Sequence, residues 1–345
     1  MRAKGTGWKV SLSIVVGVLI LALVLHFVGW RETLAEMGSL GIVGLLAVLG
    51  NIAASMALWM LSWWAILNAY GVRLPLRVMV GARLAGYAVS YLTPTLYFGG
   101  EPIRAMLVVG SSDAPATRIA ASIIVERFLG GLSMILFVLI GGFFALTSPA
   151  IAAPERRLLA GVIGFVTFWV LIGFINFAGN FKWISRLIRC MGRLMARWKG
   201  PLERAAAKVS ETEDEVSHAF SKHSRATLLA FLLQIAATCF VYTRPQFFFF
   251  FFGVQFTFPQ LSLLFAFTLM LSFFLWITPG GLGTSEAGLV GAFVLVRPGL
   301  TSASVVAYAL VFKFFEAIFV VLGMIYLARR GIQYLSGRRS SEKSR

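Results

Sequence analysis

Apolar runs long enough to cross a bilayer recur along this chain, at about residues 10–29, 40–69, 119–146, 158–178, 226–252 and 302–328. A hydrocarbon core of ~30 Å takes about 20 helical residues at 1.5 Å rise, whereas a tilted membrane strand needs only about 9–11. Inside lipid every backbone N–H and C=O must be satisfied, and a helix does this within its own segment. The runs therefore read as helices, and the fold class as an all-α polytopic membrane protein. Composition agrees: 59% of the 345 residues are hydrophobic and only 13% are charged, about half the usual ~25% of a soluble domain.

Two further stretches, 79–109 and 260–296, are apolar but interrupted. TPTLYFGGE runs from Thr93 and Pro94 through Gly99 and Gly100 to Glu101, and TPGGLGTSE runs from Thr278, Pro279, Gly280, Gly281 and Gly283 to Glu286. Proline and glycine free backbone polar groups, which survive at membrane depth only when buried in protein or lining a wet cavity. Interrupted segments at matching positions of two halves point to a transport site. Each stretch is expected to be a re-entrant hairpin, giving about six full spans plus two hairpins, eight helices or more in total.

Loop charge supports that count. Basic residues concentrate in 1–9, 70–77, 180–225 and 329–345, while loops 31–39 and 253–259 hold one between them. With both broken stretches as hairpins, every strongly basic segment falls on the cytoplasmic side, as the positive-inside rule requires; the 147–157 loop, with Arg156 and Arg157, fits less well. The first hairpin then dips from the cytoplasm and the second from outside, so the two halves have inverted topology. Residues 1–345 form a single integral membrane domain: a first span over 8–30, retained rather than cleaved, a half-repeat over 40–147, a linking span over 155–178, a basic amphipathic segment over 180–224, a second half-repeat over 225–328 and a basic tail over 329–345. Asn51 lies 50 residues before Glu101 and Gln234 lies 52 before Glu286; Arg127 follows Glu101 by 26 and Lys313 follows Glu286 by 27.

The net charge of +17 lies between the apolar runs, which favours anionic headgroups over nucleic acid. The stretch FKWISRLIRCMGRLMARWKG (181–200) alternates apolar residues and arginines at helical spacing and reads as a helix lying in the headgroup plane. The six phenylalanines at 247–252 read as lipid-facing filler. Cys190 and Cys239 draw no disulfide or metal framework, and no cofactor is called for.

Of 14 acidic residues, Glu101, Glu126, Glu286 and Glu316 lie within apolar zones, alongside Arg83, Arg104, Arg127, Arg244 and Lys313. A charge at the bilayer centre costs ~2.5–3.5 kcal/mol on insertion scales, so it must face protein or water and is functional by default. Glu101, Arg104, Arg127, Glu286, Lys313 and Arg83 are the candidate headgroup-binding residues; Lys313 with Glu316 is alternatively a self-neutralising helical pair. In GGEPIRA, Pro102 suits a first helical turn, where its missing N–H is not needed, and places Arg104 in that turn. Thr284 and Ser285 are placed to cap a helix restarting near Glu286. A helix N-terminus and arginine forks together favour a phosphate-bearing headgroup. The glutamates either hold the arginines or meet an amine or a proton.

The motifs GGEPIRAMLV and TPGGLGTSEAG, with VERF at 125–128, resemble the flippase-like transmembrane domain family associated with lysylphosphatidylglycerol synthases, which also has stand-alone members. The resemblance covers about residues 8–330. It implies a polytopic bacterial inner-membrane protein tied to translocating lipids or lipid-linked intermediates, here in a stand-alone form lacking the synthase domain, while the loop charge puts both termini in the cytoplasm. Glu101, Arg104, Arg127, Pro279, Gly280, Gly283 and Glu286 occupy that family's recurring polar positions.

The expected function is a non-enzymatic lipid flippase or transporter whose cargo is an anionic phospholipid, a polyprenyl-linked lipid or a hopanoid-type lipid. A membrane-embedded lipid transferase and an accessory subunit for a partner lipid-biosynthesis or glycosyltransferase enzyme are the alternatives. Single-cysteine labelling, after replacing Cys190 and Cys239, is expected to place 1–9, 70–77, 180–225 and 329–345 on one face and 147–157 and 253–259 on the other. Finding 180–225 and 329–345 on opposite faces would sink the two-hairpin arrangement.

Overall fold

A computed structural model describes residues 7–93, 99–147, 153–194, 199–275 and 278–343. They form helices joined by short turns, with no strand among the described residues. The helices are α1 (Gly7–Val28), α2 (Trp30–Ser39), α3 (Gly41–Ala69), α4 (Leu76–Leu92), α5 (Glu101–Val109), α6 (Ala116–Thr147), α7 (Ala153–Ala178), α8 (Trp183–Leu194), α9 (Lys199–Ser221), α10 (Ser224–Tyr242), α11 (Arg244–Phe249), α12 (Phe258–Leu275), α13 (Thr284–Val296) and α14 (Ser302–Lys343). Among the described residues, four stretches are long and apolar enough to cross a membrane: α3, α6, α10 and Ser302–Arg330 of α14. The bent pair Val18–Val28 and Trp30–Ser39 makes a fifth if it is one span, and α7 contributes the shorter apolar stretch Ile163–Phe177. This is an all-α multi-pass membrane protein.

Three local features depart from the sequence reading. Residues 31–39 are helix α2 rather than a loop, set at 86° to the helix before it. The bend sits at Gly29, whose φ of 100° only glycine adopts readily, and the Thr33 hydroxyl donates to the Gly29 carbonyl at 2.8 Å. The apolar run 226–252 is not one helix: α10 stops at Tyr242, and Pro245 falls in the first turn of α11, where its ring and missing N–H would break a continuing helix. The phenylalanines that follow are not lipid-facing filler throughout. Phe248 and Phe249 are fully buried, with Phe249 5.5 Å from the Phe293 ring and 5.9 Å from Tyr308.

The chain divides into two units that cut across the two sequence halves. One comprises Met1–Ser55, Leu76–Arg104 and Cys239–Arg345, so it holds both broken segments; the other comprises Met56–Pro75 and Ala105–Thr238. In the first unit α4 and α14 pack most intimately. Gly81 lies under the Tyr326 ring, and a Cβ at Gly323 would overlap the Leu84 carbonyl and lie 3.0 Å from Ala88. Small residues let two backbones approach this closely, which is how helices associate in lipid, where apolar burial gives little driving force.

The second unit is laced by buried polar rungs. The Gln234 amide donates to Ser62 and to Glu126, both at 3.1 Å, the Ser62 hydroxyl donates to the Ala230 carbonyl at 3.0 Å, and Ser133 donates to Thr238 at 2.8 Å. These rungs join α3, α6 and α10. The α3 helix ends where Gly71, at φ 74°, lets the Val72 N–H return to the Leu67 carbonyl at 2.9 Å. Against α6 and α7 packs α9, a highly charged helix with Val216 and Ala219 buried.

The contact at Gly323 sets an expectation. Gly323→Ala forces backbone against backbone and should lower stability by about 1–3 kcal/mol, the usual cost of overpacking. Gly291→Ala, where nothing lies within 4 Å, should be neutral or mildly stabilising, since alanine is the better helix former. Thermal unfolding in detergent compares the two; equal melting temperatures would refute the close packing.

Candidate functional site

The first broken segment is organised by glycine on both sides of a contact. Gly100 donates its N–H to the Ser90 hydroxyl of α4 at 2.9 Å, and a Cβ at Gly100 would strike the Gly86 carbonyl. The turn at Gly99 and Gly100 therefore sits flush on α4. Helix α5 begins at Glu101, with Pro102 in its first turn and the Arg104 N–H bonded to the Gly100 carbonyl at 3.0 Å. The Arg104 side chain lies over Gly86, where a Cβ would come within 2.6 Å of its Cδ. That stem carries the guanidinium to a site where Arg104 is 1% exposed. Arg83, also buried, stands one turn before Gly86 on α4. Glu101 is half-buried.

The second broken segment turns on three glycines with left-handed φ, Gly280 (61°), Gly281 (61°) and Gly283 (81°), which a side chain would strain. Thr278 braces the turn: its carbonyl accepts the Gly281 N–H at 2.8 Å and its hydroxyl donates to the Leu282 carbonyl at 2.9 Å. Helix α13 then restarts at Thr284, two residues before Glu286. Neither Thr284 nor Ser285 caps it, contrary to the sequence expectation: the N-cap position is Gly283, with no side-chain cap bond. Glycine's conformation here precludes a capping hydroxyl, and the Thr284 hydroxyl donates instead to the Gly281 carbonyl at 3.3 Å.

Glu286 occupies the first turn of α13, where a negative charge meets the positive end of the helix dipole. It has no solvent exposure, and Lys313 of α14 pairs with its Oε1 at 2.7 Å. The same Lys313 Nζ donates to the Gly281 carbonyl at 3.0 Å, while Ser285 donates to Oε2 at 3.2 Å. One lysine thus neutralises the carboxylate and donates to a carbonyl released by the turn. Glu316, three residues on, is not its partner as helical spacing allowed. Glu316 accepts from Arg244 at 2.9 Å, and the Arg244 guanidinium lies 5.2 Å from the centre of the Phe312 ring.

The two broken segments meet. The Tyr91 ring of α4 lies against Gly280, close enough that a Cβ there would sit 2.5 Å from the ring, and Tyr87 is 5.8 Å from Tyr91. Tyr91 lies in the field of both Glu286 and Glu316, so the two ion pairs and the end of α4 form one electrostatic neighbourhood. Thr93 closes α4, its hydroxyl donating to the Val89 carbonyl at 2.7 Å. Pro94 lies outside the described residues, and Pro279 forms part of the turn before Gly281. Arg127 is half-buried on α6 beside buried Glu126 and belongs to the second unit. Within the second unit a cleft of about 590 Å³ lies between α8 and α9, walled by Arg189, Arg193, Glu203, Glu211 and Asp214.

Sequence reasoning placed Arg244 and Glu316 in apolar zones but left them out of the site, and it passed over Tyr91. The signal for the first pair was present, since two buried charges demand partners. For Tyr91 there was none: an aromatic in an apolar run is ordinary.

Glycine-seated turns and buried ion pairs on interrupted helices define a polytopic membrane protein that holds charge inside its own fold. The profile of the lysylphosphatidylglycerol synthase TM region family matches residues 10–323, and the chain belongs to that family. It is also similar to the UPF0104 membrane protein PH1989 of Pyrococcus horikoshii, 21% identical over 190 residues, which is 55% of this chain and 56% of that protein. The chain thus spans little more than half the length of that relative. No solved structure matches it.

Breaking a buried pair by removing one partner typically costs about 3–5 kcal/mol. Lys313→Met should fall in that range, because it leaves the Glu286 carboxylate in the core, and adding Glu286→Gln should recover much of the loss. Additive losses in a double-mutant cycle of melting temperatures would show that the two residues do not act as a pair.

Proposed function

We propose that this protein moves an anionic phospholipid or lipid-linked intermediate across the bacterial inner membrane, with both termini cytoplasmic, and that it does so without covalent chemistry. The observation that carries the reading is the meeting of the two interrupted segments at Tyr91 and Gly280, with Glu286–Lys313 and Arg244–Glu316 beside it and Arg104 buried on the same unit. Charges at this depth are retained for substrate or ion passage. Arg83, Arg104, Arg244 and Lys313 carry one more unit of charge than Glu101, Glu286 and Glu316, so an anion is the ligand that neutralises the group.

In this mechanism the headgroup phosphate enters at Arg104 while the tails stay in the bilayer. Arg83 adds positive potential one turn away on α4. The N-terminus of α13 already holds the Glu286 carboxylate, so the substrate's phosphate gains Lys313 only when Glu286 yields it. Exchange of Lys313 between Glu286 and the phosphate would couple loading to movement of the second turn. The order of elements supports inverted repeats: a long helix, a helix, a break, a helix and a long helix occur as α3–α6 and, with the short α11 added, again as α10–α14. Two such halves exchanging which face is open give alternating access. A transferase reading is weaker, because a general base must reach substrate and Glu286 is held by lysine with no exposure.

Purified protein in liposomes should move headgroup-labelled anionic lipid between leaflets. Glu101→Gln, Arg104→Gln and Glu286→Gln should each insert normally and lose at least tenfold in rate. If all three variants move lipid like the parent, the site is misassigned; if the parent moves none of the anionic, polyprenyl-linked or hopanoid-type lipids, the accessory-subunit reading replaces this one.

A further inference from the structure

Residues 210–215 read Ser-Glu-Thr-Glu-Asp-Glu, an acidic run inside the most basic segment of the chain, and each acid has a separate fastening role. The Glu213 carboxylate is buried and accepts the N–H groups of Ile184 at 3.1 Å and Ser185 at 3.2 Å, two of the donors left open at the start of α8. Asp214 takes Lys182 at 2.7 Å and the Asn180 amide at 3.1 Å, securing the turn before α8. On the other side of α9, Glu211 accepts from Thr117 of α6 at 3.0 Å. Glu215 pairs with Arg118 at 3.4 Å, and its backbone carbonyl accepts the Tyr70 hydroxyl at the end of α3. Helix α8 is thus bolted through α9 to the ends of α3 and α6.

That fixed helix leaves one face exposed among the described residues. Ser185 and Gly192 turn toward α9. Ile184, Leu187, Ile188 and Met191 fall on one stripe at helical spacing, with Leu187 63% exposed and Ile184 and Met191 both near half-exposed. Trp183 extends the stripe at its start and stacks on Phe181 at 5.6 Å. At 100° per residue, Arg186, Arg189 and Arg193 fall on the opposite side, where Arg189 also donates to the Ser185 carbonyl at 3.3 Å and, with Arg193, edges the cleft beside α9. A helix with an apolar stripe below and arginines above sits ~5–10 Å into the headgroup boundary, and its arginines then stand among lipid phosphates. An anionic leaflet attracts such groups.

We propose that α8 is a rigid docking face for the anionic lipid leaflet on the basic side of the membrane, its apolar stripe immersed and its three arginines engaging the headgroups. The acid run holds α8 at that level, so the helix does not fold on arrival at the membrane but is presented ready-made. The surface belongs wholly to the second unit and stands whether or not the protein moves lipid.

The test uses full-length protein with Cys190 and Cys239 replaced by serine, in nanodiscs of phosphatidylcholine with or without 30 mol% phosphatidylglycerol (about a third). Nitroxide labels at Leu187→Cys and Arg193→Cys are read by collision with oxygen, which favours lipid, and with a water-soluble nickel chelate. The label at 187 should be at least threefold more oxygen-accessible relative to nickel than the label at 193. A 187 label as water-accessible as that at 193 overturns immersion and leaves the stripe to a protein partner. In separate samples, spin-labelled phosphatidylglycerol should associate with the parent several-fold more than spin-labelled phosphatidylcholine. Arg186→Gln/Arg189→Gln/Arg193→Gln should cut that preference at least twofold with the melting temperature unchanged. An unaltered preference overturns the headgroup role. Glu213→Gln, which weakens the bolt, should narrow the immersion difference between the two labels without abolishing insertion; an identical profile overturns the fastening.

Discussion

A carbonyl released from a helix at membrane depth has no water to turn to, and the rest of the site follows from how this chain answers that demand. The Gly281 carbonyl takes its donor from Lys313, more than thirty residues later on α14. Once an ammonium is drawn in, it needs a counter-charge, and Glu286 supplies it from the first turn of α13. The carboxylate in turn is favoured there by the helix dipole. Turn, lysine and glutamate are thus mutually required, and each would be costly alone. The same logic runs through Arg244 and Glu316, where the break after Tyr242 gives the arginine its position and α14 again supplies the partner.

The broken segments also show how glycine serves two different ends. Gly280, Gly281 and Gly283 are needed for their backbone angles. Gly86 and Gly100 have no such angles among the positive-φ residues; they are needed because another chain segment occupies the space of a side chain. In the first case glycine makes a turn possible, and in the second it lets the turn and Arg104 lie flat against α4.

Much of this was legible in the sequence, and the parts that were not share a cause. Interrupted runs and charges in apolar zones are local signals, and they pointed to both breaks and to Arg104, Glu286 and Lys313, of which the structure buries Arg104 and Glu286. Partner choice is not local. Helical spacing paired Lys313 with Glu316, but the structure pairs each across helices, since a side chain's nearest charge in sequence is not its nearest in space. The Phe247–Phe252 run misled for the same reason: composition reports apolarity but not which apolar residues face lipid, and Phe248 and Phe249 are buried among Phe293 and Tyr308. The acids of 211–215 were hidden by bulk charge, because a segment counted as basic gives no reason to examine its minority sign.

The seam between α4 and α14 joins elements separated by about 210 residues of chain. At a ribosomal rate of about 5–20 residues per second, α4 emerges roughly ten to forty seconds before the first residue of α14. For that interval Arg83 is already delivered to the membrane while the helix that covers α4 has not been made. The early segment must therefore wait in a provisional state, shielded by the insertion machinery or held near the lipid–water boundary, and its seam closes only once α14 has been translated.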